Sequence, residues 1–137
     1  MGKGKDGMFE SYVSLRVYGK GLVPQQMGEK LKIQASHTST HNNIGSWVYC
    51  TKGQVDTMSL LQTHIWFIIR QLKSRGRVLA SLQRKYKTDL LCYFASESDI
   101  GGFDLSPAVM TELGKLRLGL RTDQYFCCSR KRLVSNQ

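Results

Sequence analysis

At 137 residues the chain suits one domain with a core of its own, and 41% hydrophobic with 22% charged residues is ordinary globular composition. No apolar run reaches the roughly 18 residues of a membrane span, and residues 1–10 carry neither an apolar signal core nor, with Asp6, the Ser or Thr of a myristoylation signal. Twenty basic residues against ten acidic ones, a formal net charge of +10, point to negatively charged partners.

Residues 1–10 have little to bury and are expected to be flexible. From Ser11 to Tyr18 the chain alternates. Val13, Leu15 and Val17 fall on one side and Tyr12, Ser14, Arg16 and Tyr18 on the other, which predicts a half-buried strand. Pro24 stands where a helix begins, since its missing amide costs nothing there, and the helix runs to Leu31 with Met27 and Leu31 inward. The polar segment His37–Ser46 predicts a loop, because Ser, Thr and Asn side chains bond their own backbone. Trp47–Thr51 predicts a short strand with Trp47, Tyr49 and Thr51 on one face.

The most apolar segment, Asp56–Leu72, places Met58, Leu61, Ile65, Ile68 and Leu72 at helical steps. Leu60, Trp66, Phe67 and Ile69 widen that stripe, so this helix must be covered on more than one side. Asp56 or Thr57 is the expected cap and Gly76 the expected stop. A shorter helix then turns Val78, Leu79 and Leu82 inward. Leu90–Ala95 is apolar on both sides, which predicts a strand covered on both faces or set in the middle of the sheet. An acidic turn, Ser96–Gly102, leads to a helix capped by Ser106 and opened by Pro107, carrying Val109, Met110 and Leu113. Leu116–Cys127 predicts the last strand, and a basic end follows.

One short pattern occurs twice. Leu22-Val23-Pro24, followed by Met27 and Glu29, is echoed by Leu105-Ser106-Pro107, followed by Met110 and Glu112. The expected fold class is therefore α+β in two layers: a mainly antiparallel sheet with helices on one face, from two pseudo-repeated β-α-β units joined by the central helix. The expected boundaries are a flexible segment 1–10, a single domain 11–128 and a basic tail 129–137.

The strand Tyr12–Tyr18, Leu22 and Pro24 before a short helix with Leu31, then Trp47, and the apolar helix with His64 and Leu72 form an ordered series. It continues with the turn Gly101-Gly102-Phe103-Asp104-Leu105-Ser106 and a final strand ending in Asp123-Gln124-Tyr125. In that order they resemble the bacterial family called domain of unknown function 4279, from about Tyr12 to Tyr125. The resemblance implies a fold of similar length and no activity, so no catalytic residue comes with it. That some small families of this kind neutralise toxins is an analogy only.

Few constellations carry chemistry. The sequence has no Walker A motif, no GxGxxG after a strand, no GxSxG and no HExxH. His37 and His41 have the spacing of ligands on a helix, but they lie in the segment read as a loop. His64 falls within the apolar stripe and reads as a buried histidine bonded to a backbone carbonyl rather than a catalytic base. Asp99 and Asp104 flank Gly101-Gly102, either as the acids of a small enzyme pocket or as solubilising groups on a tight turn. Cys50 and Cys92 read as small hydrophobes, and Cys127 and Cys128 would point to opposite faces of a strand, so reduced thiols and a cytoplasmic setting are expected. No cofactor and no metal site is assigned.

Charge segregation is the strongest functional signal. Between Thr57 and Thr88 there is no acid, while Arg70, Lys73, Arg75, Arg77, Arg84, Lys85 and Lys87 supply seven positive charges. Between Asp89 and Glu112 there is no base and five acids. The first reading is a protein-interaction module, immunity-like or adaptor, in which those seven residues meet an acidic protein partner. The second is an RNA or single-stranded nucleic-acid binder using the same cations, with Tyr86 stacking on a base and Tyr12, Tyr18 and Trp47 as an aromatic platform. The third is an enzyme at Asp99–Asp104. A membrane partner is not expected.

Overall fold

The alternation in the first strand sets the plan of the molecule. In the computed structural model, which describes residues 9–97 and 102–126, β1 (Phe9–Lys20) buries Val13, Leu15 and Val17 completely on one face. Its other face carries Tyr12, Arg16 and Tyr18, all half-buried. The basic tail, Asp99, Gly101, Cys127 and Cys128 lie outside the described residues.

The chain continues through α1 (Pro24–Leu31), β2 (His37–His41), β3 (Ile44–Cys50) and α2 (Leu61–Leu72). A 3-10 turn (Lys73–Arg75) leads into α3 (Gly76–Gln83), followed by β4 (Lys87–Ser96), α4 (Pro107–Lys115) and β5 (Gly119–Phe126). The strands form one five-stranded sheet in the order β2-β3-β1-β4-β5. Pairing is antiparallel except between β4 and β5, which run parallel because α4 carries the chain back across the sheet. The fold is α+β, with a mostly antiparallel open sheet.

Register explains the layering. Leu15 stands opposite Tyr49 and Leu90, Val17 opposite Trp47, and Val13 opposite Cys92. These residues share one face and form a single core with Met27 and Leu31 of α1, Ile65, Ile68, Ile69 and Leu72 of α2, Leu79 and Leu82 of α3, and Val109 and Leu113 of α4. All four helices thus bury their apolar stripes on the same side of the sheet. The two β-α-β units are visible in the topology: β1 and β2 flank the inserted β3, while β4 and β5 are neighbours. The units are not equivalent in packing, since Met27 is buried at 1% exposure while its counterpart Met110 is 52% exposed.

Several expectations are corrected. The segment 37–46 is not a loop but most of a hairpin, whose tip Asn42-Asn43 takes left-handed φ values of 51° and 66°. Asn tolerates that geometry, which a two-residue hairpin with right-twisted strands requires. The signal was masked because β2, at the sheet edge, exposes every residue and so shows no apolar alternation. The central helix begins at Leu61, not near Asp56. The Asp56 carboxylate accepts from Met58 N at 2.9 Å, closing a local turn, and Leu60 is extended and caps nothing with its side chain. Met58 and Leu60 therefore stay outside the core, at 45% and 66% exposure. Gly76 opens α3 instead of stopping α2. The last strand starts at Gly119, after a turn through Leu116 and Arg117. The first starts at Phe9, inside the stretch expected to be flexible. Strand β4 lies inside the sheet, and among the described residues helices cover one of its faces alone: Leu91, Tyr93 and Ala95 look the other way and are half-buried.

Candidate binding surfaces

The sequence-predicted cations divide over three elements of the helical layer and one strand. Arg70 ends α2, Lys73 and Arg75 form the 3-10 turn, Arg77 opens α3, Arg84 and Lys85 follow it, and Lys87 starts β4. All are exposed except Arg75, which is half-buried. Lys87 stands opposite Tyr18 and so faces the side of the sheet away from the helices, apart from the others. Among the described residues the ion pairs are Arg16–Asp89, Lys52–Glu10 and Lys115–Glu112, and none of the seven cations takes part.

Two open cavities flank α3. One, of about 350 Å³, is lined by Lys30 of α1 with Arg77, Val78, Ser81 and Leu82. The other, of about 510 Å³, is lined by Ala80, Gln83, Arg84 and Arg117. Lys30 and Arg117 were missed by sequence reasoning, because they lie far from the basic run and only the fold brings them to α3. Arg117 follows α4 in the left-handed conformation, φ 55°. Its carbonyl and that of Leu116 accept from Gln83 Nε2 at 3.2 and 2.9 Å.

The sheet face opposite the helices carries the tyrosines. Tyr12 and Tyr93 stack at 4.6 Å between ring centroids, with planes 15° apart, and Tyr125 follows Tyr93 at 5.4 Å. Lys52 Nζ lies 5.3 Å from the Tyr12 ring centre, reaching it from the β3 side of β1. The Arg16 guanidinium covers Tyr18 at 5.2 Å. Tyr12, Tyr93 and Tyr18 therefore give ring faces to one another or to a cation, while Tyr125, at the end of the row, is 54% exposed. Trp47 is not on this side at all: it is 1% exposed in the helix-facing core, and its Nε1 finds no partner among the described residues. Tyr93 and Tyr125 replace it, and both sit at alternating positions that the strand period could have revealed.

Arg16 and Asp89 meet side by side on this face through Nε–Oδ1 and Nη2–Oδ2, both 2.7 Å, with only 22% and 20% of the side chains exposed. Planar two-point pairing is the strong form of such a contact. Arg16→Met is expected to cost about 2 kcal/mol in a urea titration, because half-buried Asp89 then keeps only the long bond from the Tyr18 hydroxyl at 3.5 Å, and adding Asp89→Leu should restore part of the loss. Unchanged stability in Arg16→Met would show the pair to be solvated.

Among the described residues the remaining candidates carry no paired chemistry. His37 and His41 lie on β2, where four residues span about 13 Å, too far to share a metal. Among the described residues no group of three or more His, Cys, Asp or Glu is placed to hold a metal ion. His64 is fully buried and its Nε2 lies 3.1 Å from the Asp56 carbonyl, as a core histidine should. Burial pushes the Cys92 thiol up to about 12, so it stays protonated and inert. A cavity of about 260 Å³ does lie at Asp104, but Phe9, Leu60, Phe94 and Phe103 dominate its walls, and no second acid lines it among the described residues. No helix of the described residues is long and apolar enough to cross a membrane.

These features define a two-layer α+β protein whose helices, among the described residues, pack on one face of a mostly antiparallel sheet. The chain belongs to the family described as Domain of unknown function (DUF4279), whose model matches residues 9–127, from the first residue of β1 to the residue after β5. No curated protein and no solved structure matches the chain.

Proposed function

We propose that this is a cytoplasmic, non-enzymatic binding module of the immunity or adaptor kind. It takes an acidic protein partner on the cationic side of its helical layer, through Arg70, Lys73, Arg75, Arg77, Arg84 and Lys85, with Lys87 set apart on the other face of the sheet. The observation that carries the reading is that none of these seven cations is spent on an internal ion pair among the described residues, whereas Arg16, Lys52 and Lys115 are. Exposed charges without internal partners steer an oppositely charged surface and fix its register. Reduced Cys50 and Cys92 suit a cytoplasmic setting.

The same cations would neutralise phosphates, so a nucleic acid is the second reading. The occupied faces of Tyr12, Tyr93 and Tyr18 speak for protein, because single-strand binders need open ring faces. Tyrosines are, by contrast, ordinary contributors to protein interfaces.

The test compares wild type with Lys73→Glu/Arg77→Glu/Arg84→Glu/Lys85→Glu as bait in cell extract treated with nuclease, followed by titration of the purified captured protein. The expected result is an acidic protein that binds wild type directly and loses about 100-fold in affinity, roughly 2.7 kcal/mol, to the reversed variant at an unchanged melting temperature. Capture abolished by nuclease, with a log–log salt slope near −0.7 per phosphate, would establish the nucleic-acid reading instead. A captured partner indifferent to the reversal would place binding on another face.

A further inference from the structure

We infer that the partner presents an acidic helix that lies astride α3, with its carboxylates divided between two cation pairs, Lys30 with Arg77 on one flank and Arg84 with Arg117 on the other. The inference rests on the binding reading above and specifies its site and chemistry.

Helical geometry lays the site out. At about 100° per residue, Arg77, Ala80, Ser81 and Arg84 follow one another along the crest of α3, and all four are exposed. Val78 and Leu82 turn toward α1, where Lys30 completes the first cavity. Gln83 turns toward the α4–β5 turn, where Arg117 completes the second. Between the two arginines the crest carries only a methyl and a hydroxymethyl group, so the backbone of a partner helix can approach closely. Arg77 and Arg84 are seven residues apart, two turns or about 10 Å along the axis. Acids at i and i+7 on a partner helix have the same separation.

The second flank is held in place for this. Gln83 Nε2 donates to Leu116 O at 2.9 Å, to Arg117 O at 3.2 Å and to Thr88 Oγ1 at 3.1 Å, which ties the turn after α4 to α3. Arg117 holds φ 55°, a conformation in which an L side chain is strained and for which glycine is the ordinary choice just past a helix. Favourable interaction with the helix dipole does not require a cation at that strained position, since Lys115 already stands in the last turn of α4. Keeping a long cation there costs stability and gains a second guanidinium in the cavity beside Arg84, with no carboxylate paired to either among the described residues. That is the arrangement of a site waiting for anions.

The experiment uses the full chain and three labelled probes in fluorescence anisotropy. They are an alanine-rich helical peptide with Glu at i, i+3, i+7 and i+10, the same peptide broken by two prolines, and a single-stranded 20-nucleotide DNA. The helical peptide should bind wild type more tightly than the broken one. Arg117→Gly should weaken it about tenfold while the melting temperature holds or rises, because glycine relieves the left-handed strain. Lys30→Ala should weaken it similarly, and Lys20→Ala/Arg121→Ala, two exposed strand cations outside both the flanks of α3 and the proposed surface, should change it less than about twofold. If Arg117→Gly and Lys30→Ala bind as wild type does while Arg70→Ala/Lys73→Ala does not, the flanks of α3 are not the site, although the cationic surface is. If neither peptide binds wild type, the acidic-protein reading falls with it. Displacement of the helical peptide by DNA at equal charge concentration overturns the choice of a protein occupant.

Discussion

Replacing Gly45 with alanine should lower stability by about 3 kcal/mol and the melting temperature by about 10 °C, a large effect for one methyl group. A Cβ at this position would lie 2.1 Å from the carbonyl oxygen of Leu22 and 2.9 Å from its carbonyl carbon. Neither atom belongs to a flexible side chain that can swing away. The Leu22 segment is fixed by Gly21 N donating to Asn43 O at 2.9 Å and by Pro24 opening α1 two residues later. Gly45 is fixed in turn by its pairing with Gly19 of β1. Relief of the clash must therefore come either from β3 leaving the sheet or from the Leu22–Pro24 junction moving and taking α1 with it. The second route displaces Lys30, so the variant should also bind the helical acidic peptide less well than its residual stability alone would suggest. Gly119→Ala is the control: a strand glycine with nothing within 4 Å of its added Cβ, expected to stay within about 0.5 kcal/mol of wild type in thermal unfolding. A Gly45→Ala protein that melts within about 2 °C of wild type would mean that the backbones do not approach so closely.

What the sequence discloses of this fold follows from where each residue finds its partner. Strand β1 was legible because its period of two is enforced on both sides at once, by a core beneath and polar neighbours above. Helices α1 and α4 were legible because each begins with a proline at its first position, and in α4 the Ser106 hydroxyl does accept from Val109 N, at 3.2 Å. The start of α2 was illegible because Asp56 can bond either a helix amide or its own turn, and only the fold decides between them. Strand β2 was illegible because an exposed edge strand carries no hydrophobic pattern to read.

The candidate site divides in the same manner. A run of cations along the chain is visible as composition, and its lack of internal pairing becomes visible only with coordinates. Lys30 and Arg117 approach α3 from 47 and 33 residues away respectively, counted from Arg77 and Arg84. No local pattern marks them, and Arg117 is distinguished by a backbone angle that has no signature in a non-glycine residue. The tyrosine row on the sheet face away from the helices belongs to the opposite case. Tyr12 and Tyr93 both sit at positions of the outward parity, and pairing β1 with β4 is enough to stack them.

His64→Leu should cost about 2–3 kcal/mol at pH 7.5 and should also remove an acid sensitivity that the wild-type protein has. The ring lies fully buried between α2 and the sheet, with Nδ1 2.7 Å from Thr51 Oγ1 and Nε2 3.1 Å from the Asp56 carbonyl. A carbonyl can only accept, so Nε2 carries the hydrogen and Nδ1 accepts from the Thr51 hydroxyl. Thr51 Oγ1 itself accepts from Val13 N at 3.0 Å, so one neutral imidazole joins β1, the turn after β3 and the segment before α2. Leucine fills the space but leaves the Thr51 hydroxyl hydrogen without its acceptor and takes from the Asp56 carbonyl one of its two donors, the other being Ser59 N at 2.9 Å. Burial lowers the His64 pKa, and the bond to Asp56 O offsets this only in part. The unfolded chain therefore takes up this proton near pH 6.5, before the folded one does. Above that pH both states are neutral and the full contribution of the bonded ring is present. As pH falls below about 6.5 the unfolded state binds the proton, and wild-type stability declines by at most about 1.4 kcal/mol per pH unit until the folded ring protonates as well. His64→Leu has no such proton to bind, so urea titrations of the two proteins should converge between pH 7.5 and 5.5. Parallel curves across that range would show that the imidazole is not held neutral in the core, and the three segments it joins would then need another tie.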